Sequence, residues 1–549
     1  MTATLSDLES VMPTDDAPEW PSATWIGTLD LPVEFADSIR VHDSGGYRRA
    51  RLLLRREGRP VAFVYSEIED GNLDAARLRE LVAPWNGGDE PPAEESPDGD
   101  VVQLPTMSVV ICTRDRLDLL REALASVLRC DYPDFEVIVV DNASSDDSCV
   151  KFVEILGDPR VRAVTEPRPG LAVARNTGVL EARGEFVAFT DDDVVVEPRW
   201  LRWLATAATG SDRIGCVTGL VPSGELRTPT QQYFESQVHW SNNLQRTVFD
   251  MATPPPGVPL FPFQVGLYGT GASFAMPRAV VVDLGGFDEG LGVGSPTGGG
   301  EDIDMFVRVL ASGRQLVYEP AAIVWHRHRA DVDALVTQAR GYGLGLGAWL
   351  TKVACSGTLM PLALRRAVRA AGHLHDVTAP PNVEDFSPPA DLRRAHTRAV
   401  VRGPLAYATS RRQGRRARPL SQLRRGRQIP WEVSDQNTWT ARLAVLAGTS
   451  GALSTLPLGA VPSALLLLVL VCCGGGSAVT CWLDLPAVAA AASVVGLSVG
   501  AIIAVATAMA WMGAWYPIPS CLVLSAAVAA AGGLRLWQAS ANGPSLTVP

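Results

Sequence analysis

The sequence predicts an α/β fold: a mostly parallel, Rossmann-like sheet, with a small α+β unit before it and membrane-length apolar helices after it. Three observations carry this. Between Met107 and Thr190, short β-branched runs alternate with amphipathic stretches of about ten residues, the signature of strands joined by crossover helices. Polar residues gather where those runs end. The last third of the 549-residue chain holds long apolar runs without internal charge.

In chain order, residues 1–24 are acidic and Pro-containing, and are expected to be disordered. Residues 25–86 read as a small accessory α+β domain, with strands at Arg48–Arg55 and Pro60–Tyr65 and a short helix at Asp74–Val82. Residues 87–105, including GGDEPPAEESPDGD, have linker composition. The main domain, 106–350, opens on Ser108–Cys112, a short apolar run typical of a buried strand. The helix Leu117–Leu128, strand Glu136–Val140, helix Ser148–Leu156, strand Val161–Thr165, helix Leu171–Ala182 and strand Glu185–Thr190 follow. Residues 351–440 form an arginine-rich juxtamembrane region, with fifteen arginines between Arg365 and Arg427. Residues 441–537 hold three apolar runs, Leu456–Cys473, Leu485–Ala510 and Tyr516–Leu534. Each is near the roughly 20 residues a spanning helix needs. Three spans are expected, or two if the first run lies at the interface; 538–549 is a tail.

The totals exclude some classes. A net charge of −11 argues against a general nucleic-acid binder. Nine cysteines without metal-type spacing suit free thiols in a reducing compartment. No basic, apolar leader is evident in residues 1–30. Basic residues before the first span favour the cytoplasmic side and can bind anionic lipid headgroups. The expected location is therefore a multi-pass membrane protein with its main domain in the cytoplasm.

Chemistry is most visible at Asp191-Asp192-Asp193, which ends the apolar run Phe186–Phe189. Adjacent carboxylates repel unless a cation sits between them, and hard divalent ions prefer such oxygen donors together with substrate phosphates. A solvated acidic turn is the bland alternative. Thr113-Arg114-Asp115 and Asp141-Asn142 also follow strand ends. In an open parallel sheet all three places face one crevice, where ligands bind.

From Met107 to Arg329 the chain resembles a family 2 glycosyltransferase, inverting and of the bacterial membrane-associated type. Ser108–Arg116 resembles its opening strand and nucleotide loop, and Val139–Asp146 its base-contacting motif. Gly170–Gly178 resembles the helix before the metal strand, and Asp191–Asp193 its DxD motif. Gly269–Ser273 and Gly285–Asp288 fit its acceptor side, and Gly299–Asp302 its catalytic ED motif. The resemblance implies a GT-A fold and a nucleotide-sugar donor, with Mn²⁺ or Mg²⁺ as cofactor. By it Asp193 ligates the metal and Asp191 touches ribose and metal, with Asp192 beside them in the donor site. Thr113, Arg114 and Asp141 meet the nucleotide, Arg175 the ribose or diphosphate. Asp302 becomes the general base that takes the acceptor proton, and Glu301 orients acceptor or base.

Structural alternatives remain at several positions. Asp141 can cap a turn. Glu301, Asp302 and Asp304 can act as charges at a helix N-terminus, the favoured reading for Asp304. His326, in Trp325-His326-Arg327-His328, is a third metal ligand in some related enzymes, or a structural histidine.

Processive relatives carry Gln-x-x-Arg-Trp; the nearest string here, Gln338-Ala339-Arg340-Gly341-Tyr342, lacks the tryptophan. A non-processive transferase acting on a lipid-linked or cell-envelope glycan is therefore expected. A processive synthase, a catalytically silent scaffold module and a nucleotidyltransferase are the alternatives; the last should carry a glycine-rich phosphate loop that Thr113–Arg116 lacks. Donor sugar and oligomeric state are not encoded legibly.

Overall fold

The computed structural model describes residues 4–87 except 15, 104–356 except 239 and 265, parts of 359–366, and 390–414, 436–483, 487–511 and 516–541. The chain divides into two compact units, residues 1–351 with 366–425, and 352–365 with 426–549.

The first unit begins with strands β1 (Thr4–Leu8), β2 (Thr24–Leu31), β3 (Glu34–Val41), β4 (Arg49–Arg56), β5 (Arg59–Glu69) and β6 (Asn72–Asp74), then helix α1 (Ala75–Asn86). They form one six-stranded sheet in the order β1-β3-β6-β5-β4-β2. Ala50, Leu52, Leu53 and Leu54 on β4 are fully buried. Asp74 caps α1 by accepting from the Ala76 and Arg77 amides at 2.8 and 3.2 Å. The expected disorder of residues 1–24 is corrected here: β1 pairs in parallel with β3. Leu8 and Met12 bury their side chains, and these two apolar anchors hold a segment whose average composition looks unfoldable.

The main domain continues with β7 (Met107–Thr113), α2 (Leu117–Leu128), β8 (Phe135–Asn142), α3 (Ser148–Leu156), β9 (Val161–Glu166), α4 (Leu171–Glu181), β10 (Phe186–Thr190) and β11 (Val194–Val196). Next come α5 (Trp200–Thr209), β12 (Ile214–Leu220), α6 (Pro229–Val238), β13 (Thr247–Phe249), β14 (Ser273–Pro277), α7 (Arg278–Asp283), α8 (Glu301–Ala311), β15 (Gln315–His326) and α9 (Val332–Ala354). The sheet order is β11-β15-β12-β14-β10-β7-β8-β9, with β13 beside β15. Neighbours β10, β7, β8 and β9 run parallel, as do β12 and β15. The antiparallel β14 sits between the two sets. This is the parallel-rich α/β sheet expected of a GT-A domain. The helix Ala390–Gly414 packs across α9 where Gly347 and Gly403 meet; a Cβ on Gly403 would lie 2.3 Å from the Gly347 carbonyl carbon. Its Tyr407 and Arg411 both bond Asp288, at 2.9 and 3.0 Å.

The second unit contains helices Gln436–Leu453, Ala460–Thr480, Ala487–Trp511 and Pro517–Ala541. Small residues bring them close: a Cβ on Gly476 would lie 1.9 Å from the Val494 carbonyl oxygen, and one on Gly532 2.5 Å from that of Ala441. Close backbone approach through small residues is how helices pack within a bilayer. Ala460–Thr480 and Pro517–Leu536 are long and apolar enough to cross a membrane. The expected span Leu485–Ala510 is helical over Ala487–Trp511, with its described apolar part at Ala489–Ile503. Most of the arginine-rich segment, including Arg415, Arg416, Arg418, Arg424, Arg425 and Arg427, lies outside the described residues.

A candidate cation and donor site at the strand ends

The register of the sheet explains why distant residues converge. Thr113 pairs with Asp141 across β7 and β8. Thr190 lies between Ile111 of β7 and Ser273 of β14, so Asp191, Cys112 and Gly271–Ala272 emerge together. The chain then folds into β11, whose Val194 pairs with His326 at the end of β15. That pairing carries His326 to Asp193, 133 positions earlier in the sequence.

Asp191, Asp193 and His326 each offer a ligand atom within 4.8 Å of the others, a spacing a metal ion could bridge. His326 Nε2 lies 3.3 Å from Asp193 Oδ1. Two carboxylates and an imidazole form a donor set acceptable to Mn²⁺. Burial, together with the Asp193 and Asp192 charges, pushes the Asp191 carboxyl up to about 7 against the pull of Arg175. Burial brings His326 down to about 4, which keeps its imidazole neutral and able to ligate. An acidic cluster held this close is poised for a cation.

Asp192 points the other way. It is 4 % exposed and accepts from Thr113 Oγ1 at 2.8 Å and Arg116 at 3.1 Å. These bonds tie the acidic turn to β7. Thr113, expected at the base, supplies one of those bonds. Arg116 also reaches Asp193 at 3.3 Å, and Arg329 approaches the same carboxylate at 3.2 Å. Arg114 remains half exposed beside Asp115, at 3.6 Å.

The loops that follow β7 and β8 are cross-linked. Asp115 (φ 55) and Ala143 in the facing loop (φ 56) both adopt left-handed backbone, and Asp115 accepts from the Ser145 amide and hydroxyl at 2.6 and 2.8 Å. Asp141, 3 % exposed, accepts from the Ser144 hydroxyl. Asn142 takes the Gly170 amide at 2.8 Å and so fixes the start of α4.

Helix α4 delivers Arg175, 3 % exposed, into the centre. Its guanidinium donates to Glu301 at 3.0 Å, to the Gly271 carbonyl at 2.9 Å and more distantly to Asp191 at 3.5 Å. Glu301 and Asp302 open α8. The preceding Gly300 adopts φ 90, where a side chain is strained, and packs on α9 with its would-be Cβ 3.0 Å from the Gly345 carbonyl oxygen. The glycines of α9 make room for this loop. Asp302 Oδ2 accepts from the Gly271 amide at 2.9 Å, which holds the carboxylate at the crevice. Glu301 is 4 % exposed and its Oε2 has no hydrogen-bond partner among the described residues. Burial, then the Asp302 charge, pushes the Glu301 carboxyl up to about 7. Asp304 is fully buried and bonds Arg308 at 2.7 Å, the structural part expected of it.

Fold and site together define a parallel-rich α/β domain with an acidic crevice at its strand ends. The chain matches, over residues 108–263, the family model described as Glycosyl transferase family 2. It is 29% identical over 279 residues to the pre-mycofactocin glycosyltransferase of Mycobacterium tuberculosis, covering 48% of this chain and 49% of that one. It is 28% identical over 253 residues to the O-antigen biosynthesis protein RfbC of Myxococcus xanthus, covering 45% and 19%. The chain thus spans about half or less of these relatives. A mannosyltransferase from Pyrobaculum calidifontis, solved with GDP-Man and Mn²⁺, is similar at 18% identity and a TM-score of 0.33, over 84% of this chain and 94% of that one.

Several participants were not legible. Arg116 lay inside a quoted motif but had no assigned partner. Arg329, Glu235 and Arg51 had no local signal, because their partners are distant in sequence.

Proposed function

We propose that this protein is a membrane-anchored, metal-dependent, inverting and non-processive glycosyltransferase. It moves a sugar from a nucleotide donor to a lipid-linked or cell-envelope glycan. The observation that carries this reading is the convergence of Asp191, Asp193 and His326 with Arg175, Glu301 and Asp302 in one crevice.

Asp191, Asp193 and His326 would hold Mn²⁺ or Mg²⁺, which neutralises charge on the leaving diphosphate. Arg116 and Arg329 add positive charge at the same rim. Asp141 and the cross-linked 113–116 and 142–145 loops would seat the nucleoside. Asp302 takes the acceptor hydroxyl proton as the new oxygen–carbon bond forms from the opposite face. The anomeric carbon–phosphate oxygen bond breaks, and its electron pair leaves on the nucleoside diphosphate. Arg175 holds Glu301 and the Gly271 carbonyl, so it fixes the backbone that positions Asp302. The two spanning-length helices support a membrane anchor, and the relative named for O-antigen biosynthesis supports a glycan acceptor.

The test is release of nucleoside diphosphate from a panel of sugar nucleotides by detergent-solubilised protein, with Mn²⁺, Mg²⁺ or EDTA. Metal-dependent turnover of one donor, lost in Asp302→Asn, is expected. Equal release by wild type and Asp302→Asn would contradict the assignment of the base.

A further inference from the structure

A buried chain of polar groups leads from the acidic crevice into the N-terminal domain. His326 Nδ1 lies 3.1 Å from His328 Nδ1. His328 Nε2 lies 3.3 Å from Glu235 Oε2 on α6. Glu235 Oε1 accepts from Arg51 of β4 at 2.8 Å and from the Ser241 hydroxyl at 2.7 Å. Arg51 also donates to Ser241 Oγ at 3.1 Å and stacks over Phe63 at 4.0 Å. Arg51, Glu235, His326 and His328 are all no more than 9 % exposed. Trp240 stands edge-on to both imidazoles, with centroids 5.9 and 6.0 Å away, and Phe234 closes the other side of His328 at 4.7 Å.

The direction of this chain is set by its far end. Burial alone would raise Glu235, but the His328 contact and the Arg51 charge outweigh it and bring its carboxyl to about 2. An ionised carboxylate only accepts, so His328 Nε2 carries the proton and donates. With one proton on His328, its Nδ1 is an acceptor, and His326 Nδ1 must donate to it. The His326 Nε2 lone pair then faces Asp193 Oδ1 across 3.3 Å. Two acceptors face each other there, an arrangement that a cation between them reconciles.

We propose that Arg51 and Glu235 are positioning residues for the cation site: through His328 they hold His326 in the Nδ1–H tautomer, with its Nε2 lone pair directed at Asp193. The N-terminal domain is then a working part of the donor site, which it completes by fixing one ligand. This rests on the metal reading above. It gives β4 a role that the sequence did not show.

The experiment is Mn²⁺ titration of the full chain, followed by the electron paramagnetic resonance signal of the free ion. Wild type, His326→Ala, Glu235→Leu, Arg51→Met and Arg51→Lys are compared. Outer-shell partners of a ligating histidine are worth about 10–100-fold in metal affinity. Glu235→Leu and Arg51→Met should weaken binding by that factor, and Arg51→Lys, which keeps the charge, should restore most of it. Wild-type affinity in Glu235→Leu and Arg51→Met, with weakened binding in His326→Ala, overturns the relay alone. Unchanged binding in His326→Ala as well overturns both the relay and the metal reading. A second readout is independent of variant folding. Two-bond ¹H–¹⁵N correlation of ¹⁵N-histidine-labelled wild type with Mg²⁺ should show His326 as Nδ1–H and His328 as Nε2–H; His326 as Nε2–H overturns the proposal.

Discussion

Glu301 and Asp302 are neighbours on the first turn of α8, yet their surroundings divide their work. Glu301 is buried against Arg175, whereas Asp302 is partly open and accepts from the Gly271 and Ile303 amides, one on each carboxylate oxygen. Asp302→Asn keeps one oxygen for an amide contact but cannot take a proton. Its kcat should fall by roughly 10²–10⁴, with donor affinity by calorimetry unchanged; a parallel loss of donor binding would contradict a role confined to proton transfer. The metal-free protein should also titrate in a characteristic direction. Asp191 and Glu301 are raised to about 7. Their contribution to stability is therefore complete below their unfolded values, about 4, and is lost as pH rises through 7. A bound cation removes that loss by pairing with the ionised carboxylates. The difference in Tm between Mn²⁺ and EDTA should widen from about pH 6 to about pH 8. A constant difference would show that these carboxyls do not meet the ion.

At the level of elements, helix α4 approaches β7 through Gly178. A Cβ there would lie 2.4 Å from Val110 Cγ1. Ala favours a helix over Gly by about 1 kcal/mol, but overpacking a closed core costs about 1–3 kcal/mol. Gly178→Ala should therefore lower thermal stability, and a rise in Tm would mean that the helix can move away from the sheet. Elements of this kind were legible where the pattern was local. Strands β7 to β10 and helices α2 to α4 all show uninterrupted apolar runs or a helical period. Strand β14 (Ser-Phe-Ala-Met-Pro) and β13 are too short and too mixed to announce themselves. Helix α8 was legible only from Met305 onwards; its first turn, with Glu301 and Asp302, depends on Gly300 and on the glycines of α9. Within the site, Asp191–Asp193 was visible as a local cluster. Glu235 was not, since Arg51 lies 184 positions away and only the packed sheets bring them together.

On the scale of the whole molecule, the N-terminal sheet is locked to the main domain. Arg55 pairs with Glu197 at 2.7 Å and Arg59 with Glu319 at 3.3 Å, besides the Arg51–Glu235 pair. Breaking a buried pair by removing one partner costs about 3–5 kcal/mol, because a charge is left behind. Glu235 adds an acid sensitivity to this contact. Its depressed carboxyl contributes stability above about 4 that is lost as pH falls toward 2. Glu235→Gln should therefore flatten the acid limb of the stability profile; an unchanged acid limb would place the sensitive carboxylate elsewhere. The helical unit makes a separate prediction. The full chain should stay in the membrane pellet after an alkaline carbonate wash, and release into the supernatant would contradict spanning helices.

The central claim is group transfer in the crevice built by Asp191, Asp193, His326 and Asp302. It is tested most directly by incubating the purified protein and a membrane-lipid extract with a sugar nucleotide radiolabelled in its sugar. The account predicts label in the lipid or glycan fraction with Mn²⁺, none with EDTA and none with Asp302→Asn. Label appearing there independently of both metal and Asp302, or no transfer from any nucleotide sugar, would contradict it.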